Sequence, residues 1–130
     1  MQIDTIIETG LLYLGTPYLF NSSPYQSKTF DCSSFIQFIF YKNGISLPRN
    51  SRQQFEAGKK IQLQQIKRGD LLFFTTKKRK KKKGLEKIGH VALFLGNGEI
   101  LHTYRKAGKV EVTKLEPYWN KVLIGARRVL

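Results

Sequence analysis

The chain has one cysteine in 130 residues, so it closes no intramolecular disulfide and builds no four-cysteine zinc site. It has no apolar run near the ~20 residues needed to span a bilayer. Its first residues, Met-Gln-Ile-Asp-Thr-Ile-Ile-Glu, carry acids where an export signal carries Lys or Arg. As written, the chain is therefore expected to be cytoplasmic, or to reach the cell wall or exterior through a missing leader or another export route. No internal repeat or linker divides it, and residues 1–130 read as one domain large enough to bury a core. Two histidines and one cysteine offer little to bind a metal, and no metal or cofactor is expected.

Acids are also scarce. Nine Asp and Glu against 23 Lys and Arg leave a net charge of +14, which favours anionic partners. Seven of those cations are adjacent: Lys77, Lys78, Arg79, Lys80, Lys81, Lys82 and Lys83. Such a run repels itself and resists burial, so residues 76–87 are expected to be an exposed, mobile loop. It is also a candidate contact for an anionic polymer (wall teichoic polymer, acidic lipid or nucleic acid), weakening steeply with salt. No nucleic-acid recognition motif accompanies the charge. Nine Phe and six Tyr in a chain that is 41% hydrophobic argue against disorder.

Apolar residues Ile3, Ile6, Ile7, Leu11 and Leu14 recur at helical spacing and predict a helix to Leu14, stopped by Gly15 and Pro17. A polar loop over residues 21–29 follows. Phe35, Ile36, Ile39 and Phe40 share one stripe of a second helix over residues 32–42, ended by Asn43-Gly44. A short third helix over 51–57 is expected, capped by Asn50 or Ser51. Strands are predicted at 71–75, 90–95, 99–104, 109–113 and 122–129. Helices first and strands afterwards indicate an α+β fold, with N-terminal helices packed on a mostly antiparallel sheet.

Cys32 stands where the polar loop gives way to the second helix. Unpaired N–H groups at a helix start favour a thiolate and can also receive an oxyanion, and Asp31 is placed to cap the helix. A structural cysteine is equally consistent with this segment alone. A nucleophilic thiol needs a base and a third group to orient that base. Both histidines, His90 and His102, fall in one predicted hairpin around Gly96-Asn97-Gly98. A two-residue turn at Asn97-Gly98 puts the two rings on opposite sheet faces. A three-residue loop, with Gly98 in the left-handed region, instead opposes Leu95 to Glu99 and Ala92 to His102. His90 then lies diagonal to His102 on one face, and this register is the one expected.

These residues carry a resemblance. Gly15-Thr16-Pro17-Tyr18, Phe30-Asp31-Cys32-Ser33-Ser34-Phe35, Leu47 to Gln54, Arg68 to Phe74, Gly89 to Gly98 and Ile100-Leu101-His102, in that order, resemble the NlpC/P60 papain-like cysteine peptidases across nearly the whole chain. The resemblance implies an α+β papain-like fold and hydrolysis of an amide in peptidoglycan stem peptides, often the bond from γ-D-glutamyl to a diamino acid. It implies Cys32 as nucleophile, His90 as base, His102 as the residue orienting it, and Tyr18 near the oxyanion. Asp31, Ser33 and Ser51 match positions that line the substrate side in relatives; the bland alternatives are core packing for Tyr18 and a helix cap for Ser51. The partner implied is peptidoglycan or a muropeptide.

Three features depart from the family pattern. Asn21-Ser22 stands where relatives usually have Gly-Gly, Ser34 where they usually have Gly, and the lysine run is inserted between two strands. The first two are expected to crowd backbone or substrate. Two other readings stay open: acyl transfer to an acceptor other than water, or an amidase on another substrate, and an inactive polyanion-binding module. Retention of all three polar positions argues against the last.

Overall fold

The computed structural model describes residues 2–130. Four helices, α1 (Gln2–Leu11), α2 (Cys32–Tyr41), α3 (Ser51–Gln54) and α4 (Tyr118–Val122), accompany six strands. These are β1 (Lys59–Ile61), β2 (Leu71–Phe74), β3 (His90–Gly96), β4 (Glu99–Thr103), β5 (Val110–Lys114) and β6 (Leu123–Arg128), paired in the order β1-β6-β2-β3-β4-β5. Every ladder is antiparallel. The expected α+β architecture is therefore the one observed.

Alternation along the strands gives the sheet two apolar faces. Leu71, Phe73, Val91, Leu93 and Leu101 meet Ile6 and Ile7 of α1 and Phe35, Ile36 and Ile39 of α2. Leu72, Phe74, Ala92, Phe94 and Ile100 form the other face, covered by Leu115, Trp119, Val122 and Leu123. Burial on both faces explains why β2 reads as four consecutive apolar residues instead of an alternating strand.

Several boundaries differ from expectation, each for a local reason. Helix α1 stops at Leu11, and Leu11 and Leu14 are exposed. The buried stripe runs through Gly10 instead, where a β-carbon would lie 2.6 Å from Leu101 Cδ2. A side chain there would require Leu101 to shift, so Gly10 lets α1 pack closely over the Leu101 side chain. Helix α3 is a single turn ending at Gln54, and its cap is Asn50, whose side chain accepts from the Gln53 amide at 2.9 Å. Strand β1 and helix α4 carry no strong pattern of their own and were not expected. Asp70, buried, anchors the entry to β2. Its carboxylate accepts from Arg128 Nε at 2.8 Å and Nη2 at 2.9 Å, and from the Lys67 amide at 2.8 Å.

The β3–β4 hairpin corrects its expected turn while preserving its register. The turn is the two-residue Asn97-Gly98, with φ of 52° and 71°, the double positive φ of a type I′ turn. Gly96 pairs with Glu99, but Phe94 pairs with Ile100 and Leu93 with Leu101. The one-residue shift between them is a bulge at Leu95, which reverses the parity that a plain two-residue turn imposes. Ala92 consequently opposes His102, and the two histidines share a face.

Candidate active site

The site lies at one end of the sheet, where β3 begins, β4 ends and the first residue of α2 arrives. Asp31 makes that arrival possible. Its side chain accepts from the Ser34 amide at 2.8 Å, while Ser34 Oγ accepts from the Asp31 amide at 2.9 Å. This reciprocal capping box closes the helix start immediately before Cys32. Arg49 then grips the same carboxylate, Nη2 donating to Oδ2 at 2.7 Å and Nη1 to Oδ1 at 3.2 Å. It also donates to Ser33 Oγ at 3.0 Å and to the Ser22 carbonyl at 2.6 Å. One guanidinium thereby ties the polar loop to the start of α2.

Two of the departures from the family pattern have defined places in this arrangement. Asn21 has φ of 58°, a left-handed conformation that Asn tolerates better than most residues. Ser34 spends its hydroxyl in the capping box. Ser22 is buried, donating to the Leu19 carbonyl at 2.6 Å.

Cys32 is partly exposed and lines a cleft together with Tyr18, His90, Tyr104 and Trp119. Burial, and secondarily the Asp31 carboxylate, push its thiol up to about 11, while the Val91 and Ser33 amides and Arg49 pull it back. The Val91 amide therefore addresses the sulfur from the residue following His90. His90 is buried and its pKa is driven well below the ordinary value, first by burial and then by His102. His102, fully enclosed, is lowered to about 3 by burial. Both shifts favour the uncharged forms of thiol and imidazole.

The rings are held on several sides. His90 Nε2 is 2.8 Å from His102 Nδ1, and His102 Nε2 is 2.8 Å from Thr113 Oγ1. The Trp119 ring stacks on His90 at 4.9 Å and 29°, and Tyr104 stacks on His102 at 5.1 Å and 28°. Nε2 is thus the His90 nitrogen committed to His102. A free Nδ1 lone pair on His90 would require Nε2–H to donate to His102 Nδ1, and His102 Nε2–H to donate to Thr113 Oγ1.

Tyr18 faces the same cleft, its phenol kept protonated by burial and by the neighbouring Cys32 and Asp31. It is thus a neutral donor beside the sulfur. Asp31, Ser33 and Ser51 line a second hollow that meets the first at Cys32. The Asp31 and Ser33 side chains there are committed to the cap and to Arg49, whereas Ser51 is buried at the start of α3 and is not its cap. Sequence reasoning missed Thr113, Trp119 and the part played by Arg49. Thr113 is legible only once β4 and β5 are in register: His102 pairs with Glu111 and Ile100 with Thr113, which makes Thr113 the diagonal neighbour of His102. Among the described residues no cluster of His, Cys, Asp and Glu could hold a metal, and no helix is long and apolar enough to cross a membrane.

The NlpC/P60 family model matches residues 15–128. A gamma-D-glutamyl-L-lysine dipeptidyl-peptidase of Bacillus subtilis is 39% identical over 126 residues, covering 96% of this chain and 40% of that protein. An NlpC/P60 family protein from Bacillus cereus superposes with a TM-score of 0.86 at 34% identity, over 98% of this chain and 40% of that one. RipD from Mycobacterium tuberculosis, described as a non-catalytic NlpC/p60 domain protein adapted to peptidoglycan binding, superposes with a TM-score of 0.80 at 27% identity. It covers 100% of this chain and 98% of its own. The chain thus spans about 40% of the curated Bacillus subtilis relative.

Proposed function

This chain belongs to the NlpC/P60 family, and we propose that it is a cysteine peptidase cutting an amide in peptidoglycan stem peptides, at the γ-D-glutamyl–diamino acid bond. The observation that carries this reading is convergence. Cys32 at a helix start and His90 line one cleft, with His102 and Thr113 linked behind His90, though the sequence scatters the four across four elements.

In the reaction, Cys32 Sγ attacks the γ-carbonyl carbon while His90 Nδ1 takes the thiol proton. The oxyanion is received by amides at the start of α2 and by the Tyr18 hydroxyl. His102 stabilises the transient imidazolium and holds its tautomer, as a carboxylate does in serine peptidases. His90 then protonates the departing nitrogen, leaving a thioester that water, deprotonated by the same imidazole, hydrolyses. Burial of both rings suits this course, because a base that is neutral at rest is ready at neutral pH.

Names of relatives support the bond chosen: one is a gamma-D-glutamyl-L-lysine dipeptidyl-peptidase, another a gamma-DL-glutamyl hydrolase. Retention of thiol, base and orienting imidazole favours a hydrolase over a binding domain of the RipD kind. The exposed tip of the basic run, residues 80–83, supplies an additional contact for an anionic polymer. Digestion of purified wall fragments, with the cut bond identified by mass spectrometry, tests the assignment. New γ-D-glutamyl carboxyl termini support it, and intact fragments reject it.

A further inference from the structure

The two hollows that meet at Cys32 divide a substrate at its scissile bond. Asp31, Ser33, Arg49 and Ser51 line one; Lys77, Lys78, His90, Arg105 and Trp119 line the other. Proton chemistry assigns the halves. An amine leaves only when protonated, the donor is the imidazole that took the thiol proton, and His90 borders only the hollow lined by Lys77 and Lys78. The acyl half therefore lies beside Asp31 and Ser51, and the leaving half beside Lys77 and Lys78.

The leaving side is strongly cationic. Lys77, Lys78, Arg79 and Arg105 stand on its walls, and no Asp or Glu does. Arg79 is occupied, Nη1 donating to the Glu86 carbonyl at 3.0 Å. Arg105 leans over the Phe20 ring at 5.6 Å and bonds Tyr18. Lys77 and Lys78 are exposed and, among the described residues, have no carboxylate partner. The rest of the basic run, residues 80–83, does not reach this wall.

We propose that Lys77 and Lys78 form an anion subsite that recognises a free carboxylate on the leaving residue. The enzyme would then prefer short peptides ending in a diamino acid over those whose chain continues or is amidated there. This inference rests on the hydrolase reading above for its orientation of the cleft. It also separates the two roles of the basic run: its root selects substrate, and its tip meets polymer.

The test compares L-alanyl-γ-D-glutamyl-L-lysine with the same peptide ending in L-lysinamide, which differs only in the carboxylate. At low salt the wild type should favour the carboxylate form about 3- to 10-fold in kcat/KM, chiefly through KM, as expected of one or two partly exposed charge contacts. The preference should shrink as the Debye length falls below about 5 Å in high salt. Lys77→Gln with Lys78→Gln should erase it, whereas four Lys→Gln changes at residues 80–83 should leave it intact. Equal handling of both peptides by the wild type, or erasure by changes at the tip, overturns the subsite.

Equilibrium binding of both peptides to Cys32→Ala protein separates the two failures. A carboxylate preference in binding without turnover by the wild type keeps the subsite and rejects the hydrolase. Equal affinities reject the subsite whether or not turnover occurs.

Discussion

His90 Nε2 and His102 Nδ1 stand 2.8 Å apart although twelve positions separate the residues, because a bulge at Leu95 restores the parity that the Asn97-Gly98 turn reverses. Deleting Leu95 removes the extra residue and turns one ring to the other sheet face. The expected result is loss of turnover together with a lower urea midpoint, because Val91, Ala92, Leu93 and Phe94 exchange faces with the ring; full activity would contradict the role given to the bulge.

In the proposed mechanism Thr113 acts through His102, whose Nε2 lies 2.8 Å from Thr113 Oγ1. Thr113→Val keeps the shape and removes the hydroxyl. It should lower kcat roughly 10-fold with little change in KM, since the loss is felt when the imidazolium forms. Thr113→Ser should restore most of the rate. A purely structural role predicts instead that Val, the better strand former, is harmless.

Acid should weaken the fold through the buried imidazoles. Both have folded pKa values below the ordinary 6.5, His102 near 3, so the unfolded chain binds more protons on the way down. Stability is therefore fully present above about 6.5 and is lost as pH falls toward the folded values. The slope approaches about 1.4 kcal/mol per pH unit for each proton separating the states. The thiol acts oppositely: raised to about 11, it withdraws stability as pH climbs past its ordinary value. Urea midpoints measured across pH should form a plateau between these limits. A midpoint that stays flat through pH 5 contradicts the burial described.

Arg49 is the tie between the polar loop and the start of α2. Arg49→Ala leaves the buried Asp31 carboxylate short of a partner, at a cost of roughly 2 kcal/mol, discounted for the partial exposure of the guanidinium. It also removes a positive charge that lowers the Cys32 pKa, so alkylation of Cys32 should slow even in fully folded protein. Urea denaturation and iodoacetamide kinetics read the two effects separately.

Much of this was legible in the residues. Asp31 before Cys32 announced a capped helix start, and Gly96-Asn97-Gly98 announced a hairpin. The small Ala92 opposite His102 left room for a second ring. What stayed hidden depended on long-range placement. Trp119 lies in a five-residue helix whose pattern is too short to read, yet its ring covers His90. Leu11 and Leu14 looked like core because helical periodicity carries no information about where a helix ends. Arg49 lay within a matched segment, but its reach back to Asp31 and Ser22 appears only when the loop is folded.

In the proposed mechanism Cys32 is the nucleophile and His90 serves it as base. Turnover of L-alanyl-γ-D-glutamyl-L-lysine should be followed by mass spectrometry for wild type, Cys32→Ala and His90→Ala, each confirmed folded. The predicted result is cleavage between the γ-carbonyl and the lysine nitrogen by the wild type, reduced at least about 1,000-fold in both variants. Cleavage that survives in either folded variant would contradict it.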